Sequence, residues 1–211
     1  MSWSRHAGRE GYHHGNLRQA LIDAALGLIA ERGPSGFSMA EVARAVGVSP
    51  AAPYRHFRDR AALLAEIARH GFELFEADLA AAWDGGRPEP ARAMIRCARR
   101  YLDFARRQPA LYAAMFESGL PADTDAALLR ASERAFAVLV GGAEALCATI
   151  RRDRRPPASM VALHLWSFAH GIASLFLAHP AGPGPVLPMA PEDLLEAGLL
   201  LYFRALGNDA A

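Results

Sequence analysis

The sequence predicts an all-α protein, with a three-helix helix-turn-helix domain at the N-terminus followed by a larger helical domain. Three observations lead there. Alanine supplies 45 of the 211 residues while Val, Ile and Thr together supply 15, so the best helix former is abundant and β-branched strand formers are scarce. Between breaks rich in glycine and proline, apolar side chains recur at steps of three and four, the period of a helix with one buried face. A hydrophobic content of 52% is enough for a core without disulfide or metal staples. This composition argues against all-β and alternating βαβ chains.

The first helix is expected from about Asn16 to Arg32, where Leu17, Leu21, Ala24, Ala25, Leu28 and Ile29 share a face. Asn16 is its natural N-cap and Gly33 its C′ residue. Ser38-Met39-Ala40-Glu41 is a capping box, and Phe37 and Val42 have the spacing of a hydrophobic staple, so a second helix starts at 39 and ends at Gly47. Ser49-Pro50 restarts the chain for a short helix over 50–56, with serine as cap and proline at the first helical position. The three-residue link Gly47-Val48-Ser49 is the connection of a helix-turn-helix. Asp59 then caps a long helix to about Trp83. Further helices are expected at about 89–107, 109–117, 123–152, 157–179 and 191–206. The proline-rich loop 180–191 is either a lid or disordered.

All 23 basic side chains are arginine, and against 22 acids they leave a formal charge of +1. Taken globally, that balance does not advertise a nucleic-acid partner. Divided at residue 60, however, it separates into a head with eight Arg and five acids, and a remainder with fifteen Arg and seventeen acids. Cys97 and Cys147 are too few for a disulfide framework or a metal site, and the polar, glycine-rich start of the chain lacks the apolar stretch of a signal peptide, so a reducing cytoplasm is expected. Met160 to Ala178 has the length of a membrane span and follows Arg151, Arg152, Arg154 and Arg155. His164, Ser167, His170, Gly171 and Ser174 within it suit a helix buried between helices better than one in lipid.

The informative segment runs from Phe37 to Leu64. Phe37-Ser38, the run Ala43 to Ser49, Tyr54-Arg55-His56-Phe57 and Leu63-Leu64 together resemble the DNA-binding domain of TetR-type transcriptional regulators. The resemblance is extended for about residues 12–65 and looser over 66–211, and it divides the chain into those two domains. It implies that Ser38, Tyr54, His56 and Arg60 meet phosphate, while Ala40, Pro50, Ala51 and Ala52 lie towards base edges. The residues agree with this. Ser38, Ser49 and Asp59 bring three helix N-termini together, each able to hold a phosphate, and Tyr54, Arg55, His56, Arg58 and Arg60 supply side-chain donors. In one respect the sequence departs from the family, which has a branched apolar residue where Pro53 stands. Pro53 removes an intrahelical hydrogen bond, so a tighter or distorted turn is expected, and Ala51 and Ala52 can touch thymine methyls but make no bidentate base contact. Specificity is expected to lean on Tyr54, Arg55, DNA shape and dimer spacing. The N-terminal arm, with Arg5, His6, Arg9, His13 and His14, is either a disordered tail or a minor-groove arm.

Beyond residue 89, Tyr101, Phe104, Tyr112, Phe116, Trp166 and His170 are candidates for the wall of an apolar effector pocket, although each taken singly is more simply a core residue. Trp166 to Gly171 resembles the Trp-x-x-x-His-Gly pattern of WHG-type C-terminal domains in one branch of the family, and Trp166 and His170 share a helix face. The resemblance further implies that the last two helices form a four-helix interface in a homodimer, for which Ala162, Ala169, Gly171, Ala173 and Ser174 permit close approach. The resulting expectation is a cytoplasmic homodimeric repressor of operator DNA, released by a small hydrophobic molecule, with a helical ligand-binding and dimerisation domain and with no cofactor, metal or membrane. The competing readings are an enzyme built on His170 or on Asp103 and Glu117, a membrane-anchored regulator, and an activator or ligand-free regulator.

Overall fold

The computed structural model describes residues 17–121, 125–177 and 188–207. Its helices are α1 (Leu17–Arg32), α2 (Met39–Val46), α3 (Arg60–Trp83), α4 (Pro90–Arg107), α5 (Pro109–Phe116), α6 (Ala126–Ala148), α7 (Ala158–Phe176) and α8 (Pro191–Gly207). The proposed cap Asn16, the N-terminal arm and most of the loop 180–191 lie outside the described residues.

The local signals operate as expected. Ser38 Oγ accepts the Glu41 N–H, and the Glu41 carboxylate accepts the Ser38 N–H in return at 2.9 Å. Gly33 and Gly47 both sit at φ 76°, a conformation that costs glycine nothing, and the Gly47 N–H closes α2 on the carbonyls of Ala43 and Arg44. Asp59 caps α3 by accepting the Ala62 N–H at 2.8 Å, and Asp125 caps α6.

One apolar core runs through the described residues. α3 spans it lengthwise. Leu63, Leu64 and Ile67 pack into the same core as Leu21, Ile29, Val42 and Phe57, while Phe72, Phe75 and Leu79 continue it among α4 to α7. Ion pairs brace the long helix on three sides: Arg18–Glu66 at 2.6 Å from α1, Arg107–Asp78 at 2.8 Å from α4 and Arg134–Glu76 at 2.9 Å from α6.

Candidate functional site

Residues 37–60 present two contrasting faces. Phe37, Met39, Val42, Ala43, Pro53 and Phe57 are buried, whereas Ser38, Ala40, Ser49, Pro50, Ala51, Tyr54, Arg55 and His56 are exposed and Ala52 is half-buried. Tyr54 has 55% of its surface open to solvent, high for so large an aromatic side chain. All the predicted DNA-contacting residues except Arg60 and Ala52 are thus exposed on this short segment.

The expected helix over 50–56 needs correction. After a turn at 50–51, only Ala52–Arg55 is helical, and it is a 3₁₀ helix. Its N-cap is Ala51 rather than Ser49, and it has no side-chain capping bond. Pro53 explains this. In an α-helix the Ser49 carbonyl would accept from residue 53, which has no N–H, and it accepts from Ala52 at 3.0 Å instead. Two capped helix starts therefore remain on this face, at Ser38 and Asp59.

Several arginines of the basic head are engaged within the fold. Arg18 lies over the Phe57 ring, 5.2 Å from its centroid, and Arg32 pairs with Glu41 at 2.8 Å. Arg60, predicted to meet phosphate, donates to the Pro34 carbonyl and lies over the Phe37 ring at 4.9 Å. It stitches the start of α3 to the loop that precedes α2. Arg55 and Arg44 are exposed, and Arg58 is 74% exposed beside Asp59. Among the described residues of the head, Arg18, Arg32 and Arg60 are thus engaged within the fold, while Arg44, Arg55 and Arg58 point outward.

The six predicted effector residues converge in one aromatic cluster. The Tyr101 ring meets Tyr112, Phe116, Trp166 and His170 at centroid distances of 5.9 to 6.3 Å. Phe116 lies 4.9 Å from Tyr112 and 5.1 Å from His170. Phe104 joins through Phe75, which lies 5.1 Å from it and 4.9 Å from Tyr101. Sequence reasoning missed Phe75, although Phe72, Phe75 and Leu79 recur at helical steps in α3 and mark an inward stripe. Ser174, which the sequence marks as small and out of place in lipid, has its Oγ 3.3 Å from the Tyr112 hydroxyl.

At the polar end of this cluster the Tyr101 and Tyr112 hydroxyls both reach His170 Nδ1, at 2.9 and 3.0 Å. Burial pushes the titration of Tyr101 well above the ordinary tyrosine value and that of Tyr112 upward as well. Burial also lowers the pKa of His170, against the opposing pull of Glu117, so the ring is neutral at neutral pH.

Beside Trp166 a cavity of about 320 Å³ opens to the surface, lined by Phe72, Ser132, Glu133, Phe136, Leu163 and Trp166. Among the described residues no group of three or more His, Cys, Asp or Glu is placed to hold a metal ion. α7 is the one described helix long and apolar enough to cross a bilayer, yet a third of that stretch is buried against the other helices. Its outward side shows Met160, Leu163, Phe168 and Leu175, and α8 adds Leu200 and Leu201. α7 and α8 approach closely, because Gly198 lies beneath the Phe168 ring, where a Cβ would stand 2.3 Å from Cε1.

Residues 21–67 match the family described as bacterial regulatory proteins, tetR family, and residues 94–201 match the family described as tetracyclin repressor-like, C-terminal domain. The chain is 32% identical over 194 residues to the HTH-type transcriptional regulator BetI of Rhizobium meliloti (strain 1021), an alignment covering 90% of this chain and 91% of the relative. A solved structure of a protein of unknown function from Rhodococcus sp. RHA1 superposes with a TM-score of 0.76 at 28% identity, covering 95% of this chain and all (100%) of that one. The fold is shared with AibR, solved in complex with isovaleryl coenzyme A and operator DNA, at a TM-score of 0.67 and 21% identity over 87% of this chain and 96% of that one.

Proposed function

The chain belongs to the TetR family of DNA-binding transcriptional regulators, which are not enzymes, and on that premise we propose that it is a cytoplasmic homodimeric repressor released from its operator by a small hydrophobic molecule. The exposed face from Ser38 to Asp59 carries the DNA-reading part of this proposal. It combines two capped helix starts, a solvent-facing tyrosine and outward cations with short side chains at Ala40, Pro50, Ala51 and Ala52 that let the backbone approach the bases. Ser38, Tyr54 and His56 are assigned to phosphate, Arg55 and Tyr54 to specificity, and Arg60 to holding the face together. Residues 12–65 serve as the reader and 66–211 as the sensor and dimerisation domain.

The effector is assigned to the cluster of Tyr101, Phe104, Tyr112, Phe116, Trp166 and His170. A mostly apolar wall with a few convergent polar groups is how small-molecule sites are built. The acyl compound bound by AibR is consistent with an effector that has an apolar part. Dimerisation is assigned to the apolar outward side of α7 and α8, which would otherwise leave Leu163, Leu175 and Leu201 each more than half exposed. α3 is the connecting element, and by linkage an effector that weakens DNA binding is itself bound more weakly on DNA by the same factor. Selection of random duplexes by the purified protein tests the proposal. A near-palindromic consensus that survives moderate salt is expected, and binding without sequence preference would overturn it.

A further inference from the structure

We propose that the wall formed by His170, Ser174, Phe116 and Trp166 receives a neutral apolar molecule through one carbonyl-type oxygen, which accepts the Nε2–H of His170. This rests on the assignment of that wall to the effector, and it adds the chemical class and the recognising atom.

In this proposal the ring proton of His170 lies on Nε2. The Tyr101 residue is 1% exposed, and its hydroxyl has His170 Nδ1 at 2.9 Å. The Tyr112 hydroxyl approaches the same nitrogen at 3.0 Å. With the ring proton on Nε2, the one lone pair of Nδ1 accepts from one of these hydroxyls, and the Tyr112 hydroxyl has Ser174 Oγ as a second partner at 3.3 Å. The Nε2–H has Ser174 Oγ as its neighbour at 3.4 Å, beyond the usual range of about 2.7–3.2 Å for N–H···O. His170 thus holds a strong donor with only a long contact.

The wall around it is partly open. Tyr101 and Tyr112 are sealed, whereas Phe116, Trp166, His170 and Ser174 are each partly open to solvent. The Phe116 ring, 5.1 Å from His170 and 5.9 Å from Trp166, offers an aromatic surface for an apolar body next to the donor.

Charge selects the class. Among the described residues, the groups that bear on His170 are Tyr101 from α4, Tyr112 and Glu117 from α5 and its end, and Ser174 from α7 itself; α3 and α6 contribute the Phe72, Phe75 and Phe136 rings to the surrounding cluster. Glu117 is the formal charge among them, and it is negative. A carboxylate entering here would leave water to face a neutral imidazole and that acid, whereas a ketone, ester or amide oxygen needs one donor and finds one.

Three probes with nearly the same body separate the outcomes: acetophenone, benzoate and ethylbenzene, each titrated into the full chain while the ring ¹⁵N signals of His170 are followed. Acetophenone is expected to bind about tenfold more tightly than ethylbenzene, with benzoate weakest and the ring proton on Nε2 throughout. His170→Phe should bring acetophenone and ethylbenzene to within about twofold of each other. His170→Gln, whose amide N–H can take the place of Nε2, should keep part of the difference. Equal binding of acetophenone and ethylbenzene to the wild-type chain, tightest binding of benzoate, or a ring proton on Nδ1 would each overturn the proposal and leave an apolar effector site standing. If no probe binds or moves the His170 signals, the assignment of this wall to the effector falls too. Should either variant fail to fold, the wild-type series and ring signals decide alone.

Discussion

Gly71 of α3 and Met115 of α5 pack so closely that a Cβ on Gly71 would stand 2.7 Å from the Met115 sulfur and 2.9 Å from its Cγ. α5 is only eight residues long, and it meets α3 through both Phe116, against Phe72, and Met115, against Gly71. Tyr112 and Phe116 enter the aromatic cluster, while Leu111 and Met115 lie against α3 at Gly71. A rearrangement around Tyr112 or Phe116 therefore reaches the helix whose first turn, at Arg60, holds the exposed segment 38–56.

The contact predicts a graded response to bulk. Gly71→Ala gains about 1 kcal/mol of helix propensity and crowds only the flexible end of a methionine, so a net change in stability within about 1 kcal/mol is expected. Gly71→Val adds branched volume that Met115 cannot absorb, and a loss of about 2 kcal/mol is expected. Met115→Ala in the Gly71→Val background should recover part of that loss. Chemical denaturation of the four proteins in this cycle gives the coupling, and strictly additive effects would show that the two residues do not press on each other.

The elements that were legible in the sequence are those whose causes lie within a few residues. Ser38 and Glu41 announce the start of α2, Asp59 that of α3, and Gly33 and Gly47 the ends of α1 and α2, because capping is local chemistry. The distorting effect of Pro53 was also legible, but its extent was not. Losing one bond converts the whole segment to a 3₁₀ turn because the segment is too short to recover α geometry. The roles of Arg18 and Arg60 were hidden for a different reason. A charge count does not reveal that one cation lies over Phe57 and the other over Phe37, and those partners are fixed by tertiary packing. Likewise the pattern showed Trp166 and His170 to be on one face, but not that two tyrosines from other helices close on Nδ1.

The brace between α1 and α3 gives a pH prediction. Glu66 is held from its ordinary value of 4.5 down to about 2, first by the hydrogen bonds from Arg69 and then by Arg18, with partial burial opposing. A carboxylate whose folded pKa lies below its unfolded one stabilises the fold fully above about pH 4.5, and that contribution disappears as the pH falls towards 2. Wild-type stability to urea should therefore decline across this window, and Glu66→Gln should decline less steeply because this group no longer titrates. Part of the decline must remain in the variant, since Glu41 is lowered to about 2 by Arg32 and Ser38. Identical pH profiles for the two proteins would show that Glu66 is not engaged.

On the reader, Arg55 and Pro53 should have separable effects once an operator has been selected. Arg55→Ala is expected to weaken specific binding by about 1–3 kcal/mol if the side chain reads a base, and to relax the sequence preference at that position. If it meets only phosphate, the loss will be uniform across sequences and the salt slope will drop by about one unit. Pro53→Ala restores the N–H that an α-helix needs at that position, so the Ser49 carbonyl should gain an i+4 donor and Tyr54 and Arg55 should turn to new bearings. The selected consensus should then shift, and an unchanged consensus would show that the 3₁₀ turn does not determine what is read.

The outward side of α7 and α8 makes a prediction about assembly that can be checked without DNA. Leu163 is 53% exposed on α7 and Leu201 is 67% exposed on α8, and neither is needed to close the core of the single chain. Replacing both with arginine leaves the buried side of each helix intact, including Leu165, Ala169, Leu195 and Leu199. Helix content by circular dichroism should therefore be preserved. If two chains pair through this side, the double variant buries arginines without partners, which is far more costly than losing two leucines, and sedimentation should show a monomer where the wild-type chain is a dimer. Operator affinity should fall with it, because one reader then engages one half-site and the gain from joining two in a single particle is lost. A variant that remained dimeric would place the interface on another surface.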